Sequence, residues 1–239
     1  MTDHHTELGL PIGAPVPDWR PAALPGDAPM VGRYCRVERI EPARHGDALF
    51  AANRIDRVGR NWTYLPYGPF DDLTSYREWL DAAAATTDPR FYAVVDCASG
   101  QAVGVASYLR IDPSAGSIEV GHINYSPLLQ RHRAGTEAMY LMMRNVFEAL
   151  GYRRYEWKCN ALNAASRAAA DRLGFSHEGT FRHSNVVKGR NRDTAWYAMI
   201  DSEWPGVRRG FDAWLDPGNF DAVGRQRSPL AARQVAVGP

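Results

Sequence analysis

Residues 130–135 have the sequence Gln-Arg-His-Arg-Ala-Gly and lead into a segment with helical spacing that starts at Thr136. The first N–H groups of a helix have no acceptor within the helix, and the helix dipole adds partial positive charge at the same end. Arg131, His132 and Arg133 add side-chain charge there. Such a turn can bind an anionic group such as a phosphate. A solvated basic turn has the same composition, so the residues alone leave both interpretations open.

A carboxylate and an imidazole lie shortly before this turn, in the segment "SIEVGHINYS" (117–126), whose alternating residues predict a strand. Ile118 and Val120 are expected to face the core, which places Glu119 on the opposite face. A carboxylate there could accept a proton from an amine. His122 is the competing base, because its ordinary pKa lies near neutral pH. A structural role is the alternative for both residues.

A third candidate segment, "NALNAASRAAADRLGF" (160–175), predicts a short helix that ends at Gly174. Asn163 is a residue type typical of helix N-caps. Ser166 carries a hydroxyl that can donate a hydrogen bond. Either residue could act only as a helix cap.

The turn and the short helix together resemble motifs of the GNAT superfamily, the acetyl-CoA-dependent N-acyltransferases. Family members have a strand, a loop of pattern Gln/Arg-x-x-Gly-x-Gly/Ala and a long helix, and the loop here reads Gln130-Arg131-His132-Arg133-Ala134-Gly135. Asn163, Ser166 and Gly174-Phe175 resemble a helix of the branch that contains the ribosomal-protein N-terminal acetyltransferases. The resemblance covers about residues 33–200.

The resemblance implies acetyl-CoA as the cosubstrate, with its diphosphate on residues 131–136 and its pantetheine arm along a bulged strand. Gly121 and Pro127 suit a strand that bulges and then stops pairing. A main-chain N–H near Ile123 or Asn124 would hold the thioester oxygen. The residues expected to bind the cosubstrate are Ile123, Asn124, Tyr125, Gln130, Arg131, His132, Arg133, Ala134, Gly135, Thr136 and Asn163.

The same resemblance implies direct attack by the amine, with Glu119 or a water that it orders as the base and Glu156 as a weaker candidate. Ser166 could donate a hydrogen bond to the leaving sulfur, because the tyrosine that many family members place seven residues after the asparagine is Ala170 here. Arg133 also departs from the usual glycine, and a side chain there restricts positive φ. We expect no metal ion and no covalent intermediate.

The aromatic segment "NWTYLPYGPF" (61–70) lies where this fold places the wall of the acceptor pocket. Trp62, Tyr64 and Tyr67 are therefore candidate contacts for the acceptor, a protein N-terminus or a small-molecule amine. A hydrophobic plug that packs on the first helices is the equal alternative.

The order of predicted elements, β-α-α-β-β-β-α-β-α-β-β, indicates an α/β (α+β) fold with a mixed, mostly antiparallel sheet. The resemblance adds a splayed central strand pair between flanking helices. We divide the chain into a proline-rich arm (1–30) that lies over the domain, an acetyltransferase domain (31–201), and a C-terminal helix with a tail (202–239) whose residues after Pro217 are expected to be mobile. The turn of the last hairpin is predicted at 188–192.

Composition limits the remaining functions. The 239 residues carry 28 Lys and Arg against 27 Asp and Glu, a net charge of +1, which does not favour nucleic-acid binding by the whole surface. Three separated cysteines, no basic-then-apolar leader and no long apolar run predict a cytoplasmic protein without a membrane segment. A ribosome- or RNA-associated module and a silent acyl-CoA-binding member of the fold remain the alternatives. A homodimer is left open.

Overall fold

A computed structural model describes residues 4–233 and contains an eight-stranded mixed sheet flanked by helices. This confirms the predicted fold class. The strands are β1 (His4–His5), β2 (Pro11–Ile12), β3 (Met30–Val31), β4 (Cys35–Arg39), β5 (Arg90–Asp96), β6 (Ala102–Asp112), β7 (Ser117–Tyr125), β8 (Arg154–Asn160), β9 (Ser176–Val187) and β10 (Arg190–Ile200). The helices are α1 (Pro42–Asn53), α2 (Leu73–Ala85), α3 (Arg133–Arg144), α4 (Ala164–Arg172) and α5 (Trp204–Leu215).

The sheet has the order β3-β4-β5-β6-β7-β8-β10-β9, and β1 pairs with β2 as a separate hairpin. All neighbours in the large sheet are antiparallel except β7 and β8, which are parallel. The parallel ladder is short, because only residues 117–120 pair with residues 154–157. Beyond it β8 continues along β10 while β7 leaves, which opens the sheet at its centre.

Two apolar cores cover opposite faces of the sheet. Strand β5 supplies both, with Tyr92 and Val94 in the larger core and Phe91, Ala93 and Val95 in the smaller one. Helices α3 and α5 cover the larger core, and α1 and α2 cover the smaller. Among residues 4–233 the smaller core includes none from β7, β8 or β10. The α1/α2 face of those three strands is therefore the part of the sheet that remains for a ligand.

Two predicted boundaries were wrong. Helix α3 begins at Arg133 rather than Thr136, because His132 acts as its N-cap, and its α-helical hydrogen bonding gives way to a wider turn over Asn145–Ala149. The last hairpin has a two-residue turn, Lys188-Gly189, with φ values of 49° and 71°. Two consecutive residues of positive φ match the twist of the flanking strands, so residues 190–192 extend β10 instead of forming a loop.

The two terminal segments pack on the domain. In the arm, Trp19 Nε1 donates to the Ser114 carbonyl (3.2 Å), and the Ala22 N–H donates to the Pro113 carbonyl (3.0 Å). In the tail, Phe220 and Ala232 are buried in the larger core. Within the tail that was expected to be mobile, Phe220 and Ala232 thus have fixed positions in the core, while residues 1–3 and 234–239 of the predicted arm and tail lie outside the described residues.

No helix described between residues 4 and 233 combines the length and the apolar character that crossing a bilayer requires.

A buried carboxylate, Glu137 in the first turns of α3, joins that helix to the start of β4. Its oxygens accept from the main-chain N–H groups of Arg33 (2.8 Å), Tyr34 (2.6 Å) and Cys35 (2.8 Å). A Cβ at Gly32 would lie 2.5 Å from the Glu137 carboxyl carbon, so the chain there has room only for glycine. No local pattern in the sequence indicates this anchor, because the donors lie about a hundred residues away from the carboxylate.

Candidate functional site

The bulge predicted in β7 is present at the point where the strand leaves β8. Ser107 of β6 pairs with Gly121 and Val105 pairs with Asn124, so one residue of β6 opposes two residues of β7. His122, one of the two, has a φ of 51°, which is uncommon outside glycine. From Gly121 onward the edge of β7 that faces β8 has no strand partner within residues 4–233. An extended ligand can therefore hydrogen-bond to this edge.

The basic turn enters α3 by a path different from the one expected. Positive φ occurs at Arg131 (57°), whereas Arg133 is the first helical residue. The expected conflict between positive φ and a side chain at Arg133 does not arise. His132 caps the helix, because its Nδ1 accepts from the Ala134 N–H at 3.4 Å.

The start of α3 presents donors that could bind an anion. In the described part of the chain, the main-chain N–H groups of Arg131 and Arg133 have no acceptor. The Arg131 side chain is exposed. The Arg133 guanidinium is less available to a ligand than the Arg131 side chain, because it lies over the rings of Tyr34 (4.3 Å) and Phe220 (5.3 Å). Arg131 and the two N–H groups are therefore the better candidates for contact with a diphosphate.

Gln130 connects the turn to the end of β7. Its Nε2 donates to the Tyr125 carbonyl (2.8 Å) and to Asn61 Oδ1 (2.7 Å), and Asn61 Nδ2 donates to the same carbonyl (3.1 Å). The Tyr125 hydroxyl in turn donates to the Gly135 carbonyl (3.2 Å). The predicted residues Tyr125 and Gln130 thus hold the strand and the turn together through groups that were expected to meet the cosubstrate.

Gly135 and Thr136 fix the packing of the first turn of α3. A Cβ at Gly135 would lie 2.8 Å from the Leu129 carbonyl oxygen and 3.2 Å from the Tyr125 ring, so protein contacts alone already require the glycine. Thr136 Oγ1 accepts from Arg172 Nη1 (3.1 Å), which ties α3 to α4.

We expect Gly135→Ala to lower the free energy of unfolding by about 1–3 kcal/mol, the usual cost of overpacking a filled site. Urea unfolding of the variant measures this loss. Gly206→Ala is the matched control, because Gly206 also lies in the first turn of a helix, α5, and a Cβ there would meet only Arg209 Nη2, at 3.9 Å. Equal losses in the two variants would contradict the packing role of Gly135.

Two further predicted residues follow the bulge. Ile123 is half-buried and packs against the larger core. Asn124 is 1% exposed, and neither its Nδ2 nor its Oδ1 has a hydrogen-bond partner among the described residues. A buried amide without a partner is costly, so Asn124 is suited to a ligand that supplies both a donor and an acceptor.

Glu119 is buried on the α1/α2 face of β7, directly opposite Glu156 of β8. Arg110 Nη1 (2.6 Å) and Lys158 Nζ (2.9 Å) both contact its Oε2, and Lys158 also contacts Glu156 (2.7 Å). Within residues 4–233 no donor reaches Glu119 Oε1. A Cβ at Gly121 would lie 3.6 Å from that oxygen and 2.9 Å from Leu109 Cδ2, so the glycine lets Leu109 pack beside the carboxylate. Two cations orient the carboxylate and leave one oxygen free.

Burial shifts the pKa values of the two candidate bases, Glu119 and His122, in opposite directions. It raises the pKa of Glu119 above the ordinary 4.5, and Lys158 and Arg110 partly oppose the shift. It lowers the pKa of His122 to about 4, an effect that the charges of Arg110 and Arg192 increase. His122 is therefore a neutral imidazole near pH 7, and its Nδ1 lies 3.1 Å from the Tyr67 hydroxyl. A base this weak accepts a proton from an ammonium less readily than Glu119 does.

The predicted residues of the short helix α4 have structural contacts. Asn163 Oδ1 accepts from the Ser166 N–H (3.1 Å), which confirms the N-cap. Ser166 Oγ accepts from Trp157 Nε1 (3.0 Å) and also faces the Cys159 thiol. Because the indole uses only an oxygen lone pair, the Ser166 proton can be donated, either to the Cys159 sulfur or to a ligand.

The aromatic segment packs partly into the smaller core and partly beside the opened strand. Trp62 is buried in the smaller core, in contact with Phe70 and Trp79, and acts as a plug. Tyr67 is half-buried and reaches His122 beside the opened strand. Tyr64 donates through its hydroxyl to the Leu162 carbonyl (3.2 Å), next to α4. Tyr67 is thus the member of the set closest to the bulge.

The tip of the β9–β10 hairpin reaches this segment. Lys188 Nζ donates to the main-chain carbonyls of Trp62 (3.0 Å), Tyr67 (3.3 Å) and Gly68 (2.8 Å). These contacts connect the hairpin to the aromatic segment. The α1/α2 face of β7, β8 and β10 is therefore bounded by the aromatic segment on one side and by the hairpin on the other.

The resemblance implies an amine acceptor and acetyl-CoA at this site. On that expectation Lys188→Met should raise the KM for the acceptor several-fold, because the hairpin loses three hydrogen bonds that place it, while the KM for acetyl-CoA stays unchanged. Steady-state kinetics with each substrate varied in turn measures both constants. Arg190→Met removes a charge from the same hairpin at an exposed position and serves as the control. Unchanged acceptor KM in Lys188→Met would contradict this role.

Comparison with known proteins gives consistent matches. The protein-family model described as the Acetyltransferase (GNAT) domain matches residues 38–176. A crystal structure of a GCN5-related N-acetyltransferase from Brucella melitensis is 46% identical, with a TM-score of 0.88 over 90% of this chain and 97% of that one. A probable GNAT-family acetyltransferase from Chromobacterium violaceum is 42% identical, with a TM-score of 0.76 over 82% of this chain and 97% of that one.

A curated relative is the putative ribosomal N-acetyltransferase YdaF of Bacillus subtilis, which is 32% identical over 73 residues. That match covers 30% of this chain and 40% of YdaF, so it spans less than half of the relative. The domain match extends over more than half of the 239 residues and agrees with the opened sheet, the bulged strand and the capped helix described above. The chain therefore belongs to the GNAT acetyltransferase family.

Proposed function

We propose that the protein is an N-acetyltransferase that moves an acetyl group from acetyl-CoA to a primary amine by direct attack of the amine. The observation that carries the proposal is the placement of a buried carboxylate with one free oxygen, Glu119, beside the opened edge of β7. Family membership supports the reaction class, while the acceptor and the turnover belong to the proposal.

The residues near the opening fit acetyl-CoA. The unpaired edge of β7 from Gly121 can pair with the amide groups of pantetheine, and the partnerless amide of Asn124 offers a further donor and acceptor. The N–H groups of Arg131 and Arg133 can hold the diphosphate. When bound, acetyl-CoA supplies the activated acetyl group as a thioester. The main-chain N–H groups near Ile123 and Asn124 are candidates to stabilise negative charge on the thioester oxygen.

Glu119 has the properties required to remove a proton from the attacking ammonium. Its Oε2 is held by Arg110 and Lys158, so Oε1 is fixed in orientation and remains free to accept. Burial raises its pKa and brings its basicity closer to that needed at neutral pH. A water held by Oε1 could carry the same proton, and both routes depend on the same carboxylate.

Ser166 is the candidate donor to the departing sulfur, because its hydroxyl proton is not used by Trp157. Position 170 is a fully buried alanine and offers no acid. This absence favours a second candidate function, an acyl-CoA-binding member of the fold without turnover.

A thiol-release assay with acetyl-CoA and a panel of amines, combined with calorimetry of CoA binding, tests the proposal. We expect CoA binding and thiol release that depends on both acetyl-CoA and the amine. CoA binding without release on any amine would favour the silent member, and failure to bind CoA would overturn both functions.

We expect Ser166→Ala to lower kcat by about 10-fold or more, since the hydroxyl would no longer stabilise the thiolate. The main-chain N–H of residue 166 remains bonded to Asn163, so α4 should keep its cap. Single-turnover thiol release is the measurement. Ser75→Ala is the matched control, because Ser75 occupies the same position after the N-cap of α2, where its N–H donates to Asp72 Oδ1. An unchanged rate in Ser166→Ala would remove the residue from the reaction.

The relatives suggest classes of acceptor without fixing one. YdaF is described as a putative ribosomal N-acetyltransferase, which makes a protein N-terminus one candidate. The amine panel should therefore include peptides as well as small amines.

A further inference from the structure

A row of buried donors without partners lines the face of the sheet that carries Glu119. Along β10, three side chains each have a polar atom that is buried and has no hydrogen-bond partner among residues 4–233: Arg192 Nε, Thr194 Oγ1 and Trp196 Nε1. They alternate with Ala195 and Tyr197, which belong to the larger core on the opposite face. Buried donors are rarely left unpaired in folded proteins, so three in succession indicate a place for a ligand that accepts hydrogen bonds.

The row lies on the same face as the Glu119 cluster. Trp196 is opposite Lys158 in the ladder, and the Lys158 ammonium lies 3.7 Å from the centre of the Trp196 ring. Lys158 in turn contacts Glu119 at 2.9 Å. Thr194 is opposite Asn160 at the end of β8, where the sheet is open. We call the open part of the sheet between β7 and β8, on the face that carries Glu119, the cleft. The unpaired donors therefore border the cleft in which an amine would meet Glu119.

The charges in this cleft do not balance. Three cations each lie within 4 Å of at least one of three carboxylates. The pairs are Arg110–Glu119, Lys158–Glu119, Lys158–Glu156, Arg154–Glu156 and Arg154–Glu178. Arg192 is a fourth cation, and no described carboxylate lies within 4 Å of it. Its charge nevertheless acts on neighbours in the cleft, since it helps to lower the pKa of His122. One cation is left for a ligand.

The type of donor limits the type of ligand. Arginine Nε and tryptophan Nε1 can only donate, so the ligand group must accept. A guanidinium binds a carboxylate in a planar, charge-assisted arrangement. A monoanion balances the single unpaired cation, whereas a dianionic phosphate would add negative charge close to Glu119 and Glu156.

We infer that the acceptor amine carries a carboxylate, which Arg192 and Thr194 bind while the amine faces Glu119. This inference rests on the proposed N-acetyltransferase function. The carboxylate belongs either to a free amino acid or to an acidic side chain near a peptide N-terminus, two sources of the same chemistry.

Two matched pairs of acceptors distinguish these sources. One pair is L-alanine and L-alaninamide, and the other is the peptide Ser-Glu-Ala-amide and the peptide Ser-Gln-Ala-amide. Calorimetry measures binding, and thiol release from acetyl-CoA measures turnover. We expect the carboxylate member of one pair to bind about 10-fold tighter or more than its amide, as a charge-assisted contact with arginine provides.

Arg192→Met should abolish this preference and leave the KM for acetyl-CoA unchanged. Arg192→Lys keeps the charge without the planar fork and should retain part of the preference. Arg190→Met, at an exposed position of the same strand, should retain all of it.

Equal or undetectable binding of both members in both pairs would overturn the inference, as would a preference that survives Arg192→Met. The two proposals fail differently. A carboxylate preference in calorimetry without thiol release would support a carboxylate site at Arg192 and refute the proposed turnover. Thiol release that ignores the carboxylate would do the reverse.

Discussion

Glu119→Gln is expected to lower kcat by about 10²–10⁴-fold, the usual contribution of a general base. The amide keeps the shape of the side chain, but it cannot take a proton from the amine. Binding of CoA should be unchanged, because the groups assigned to it are the edge of β7 after Gly121 and the N–H groups at the start of α3, and none of them is the Glu119 side chain. Thiol release at saturating acetyl-CoA measures the first effect, and calorimetry measures the second.

The pH dependence of the same variant separates catalysis from structure. In the wild type, kcat/KM should fall as pH decreases through the raised pKa of Glu119, which lies above the ordinary 4.5, because the protonated carboxyl is no base. This acid limb should be absent from the residual activity of Glu119→Gln. Glu178→Gln is the matched control, since Glu178 is exposed and lies at the outer end of the same ion network, on Arg154. Wild-type activity in Glu119→Gln would remove Glu119 from its role.

Glu137→Ala is expected to give the largest loss of stability, about 3–5 kcal/mol in the free energy of unfolding, because each buried donor left unsatisfied costs about 1–3 kcal/mol. The substitution leaves three main-chain donors without their acceptor, at Arg33, Tyr34 and Cys35, and hydrogen bonds to a charged acceptor are the stronger class. Urea unfolding followed by circular dichroism measures the change.

Two companion variants test the explanation for Glu137. Glu137→Gln keeps one carbonyl acceptor and should lose less than the alanine variant. Glu41→Ala removes a carboxylate from an exposed position at the start of α1 and should change stability by no more than about 0.5 kcal/mol. A loss in Glu137→Ala as small as that in Glu41→Ala would contradict the anchoring role.

Local sequence patterns predicted the elements well where a residue's neighbours along the chain decide its conformation. Asn163 was expected to cap α4, and it does, because a cap needs only the N–H three residues ahead. The alternation in β7 correctly placed Ile118 and Val120 in the core and Glu119 on the other face. The start of α3 was misplaced because histidine is not among the preferred caps, although His132 Nδ1 fills that position.

The functional interpretation depended more strongly on distant contacts. Arg133 is predicted to contact a phosphate, and the sequence does not indicate that Tyr34 and Phe220, from opposite ends of the chain, lie beneath its guanidinium. Arg192 was predicted to lie in the turn of the last hairpin, whereas the two-residue turn at Lys188 extends β10 and brings the arginine onto the cleft. No local pattern in the sequence predicts the surroundings of Arg133 or the position of Arg192.

By itself the sequence determined the order of strands and helices from β4 onward, the bulge-prone strand, the cap of α4 and the resemblance to a family, because each depends on spacing within a few residues. It did not indicate the short strands β1, β2 and β3. Tertiary structure alone decided which charges meet. Arg110, Glu119 and Lys158 come from three strands, and their contacts fix which carboxylate oxygen is free. The physical reason is that electrostatic interactions and burial depend on distance in space, which the order of residues along the chain does not contain.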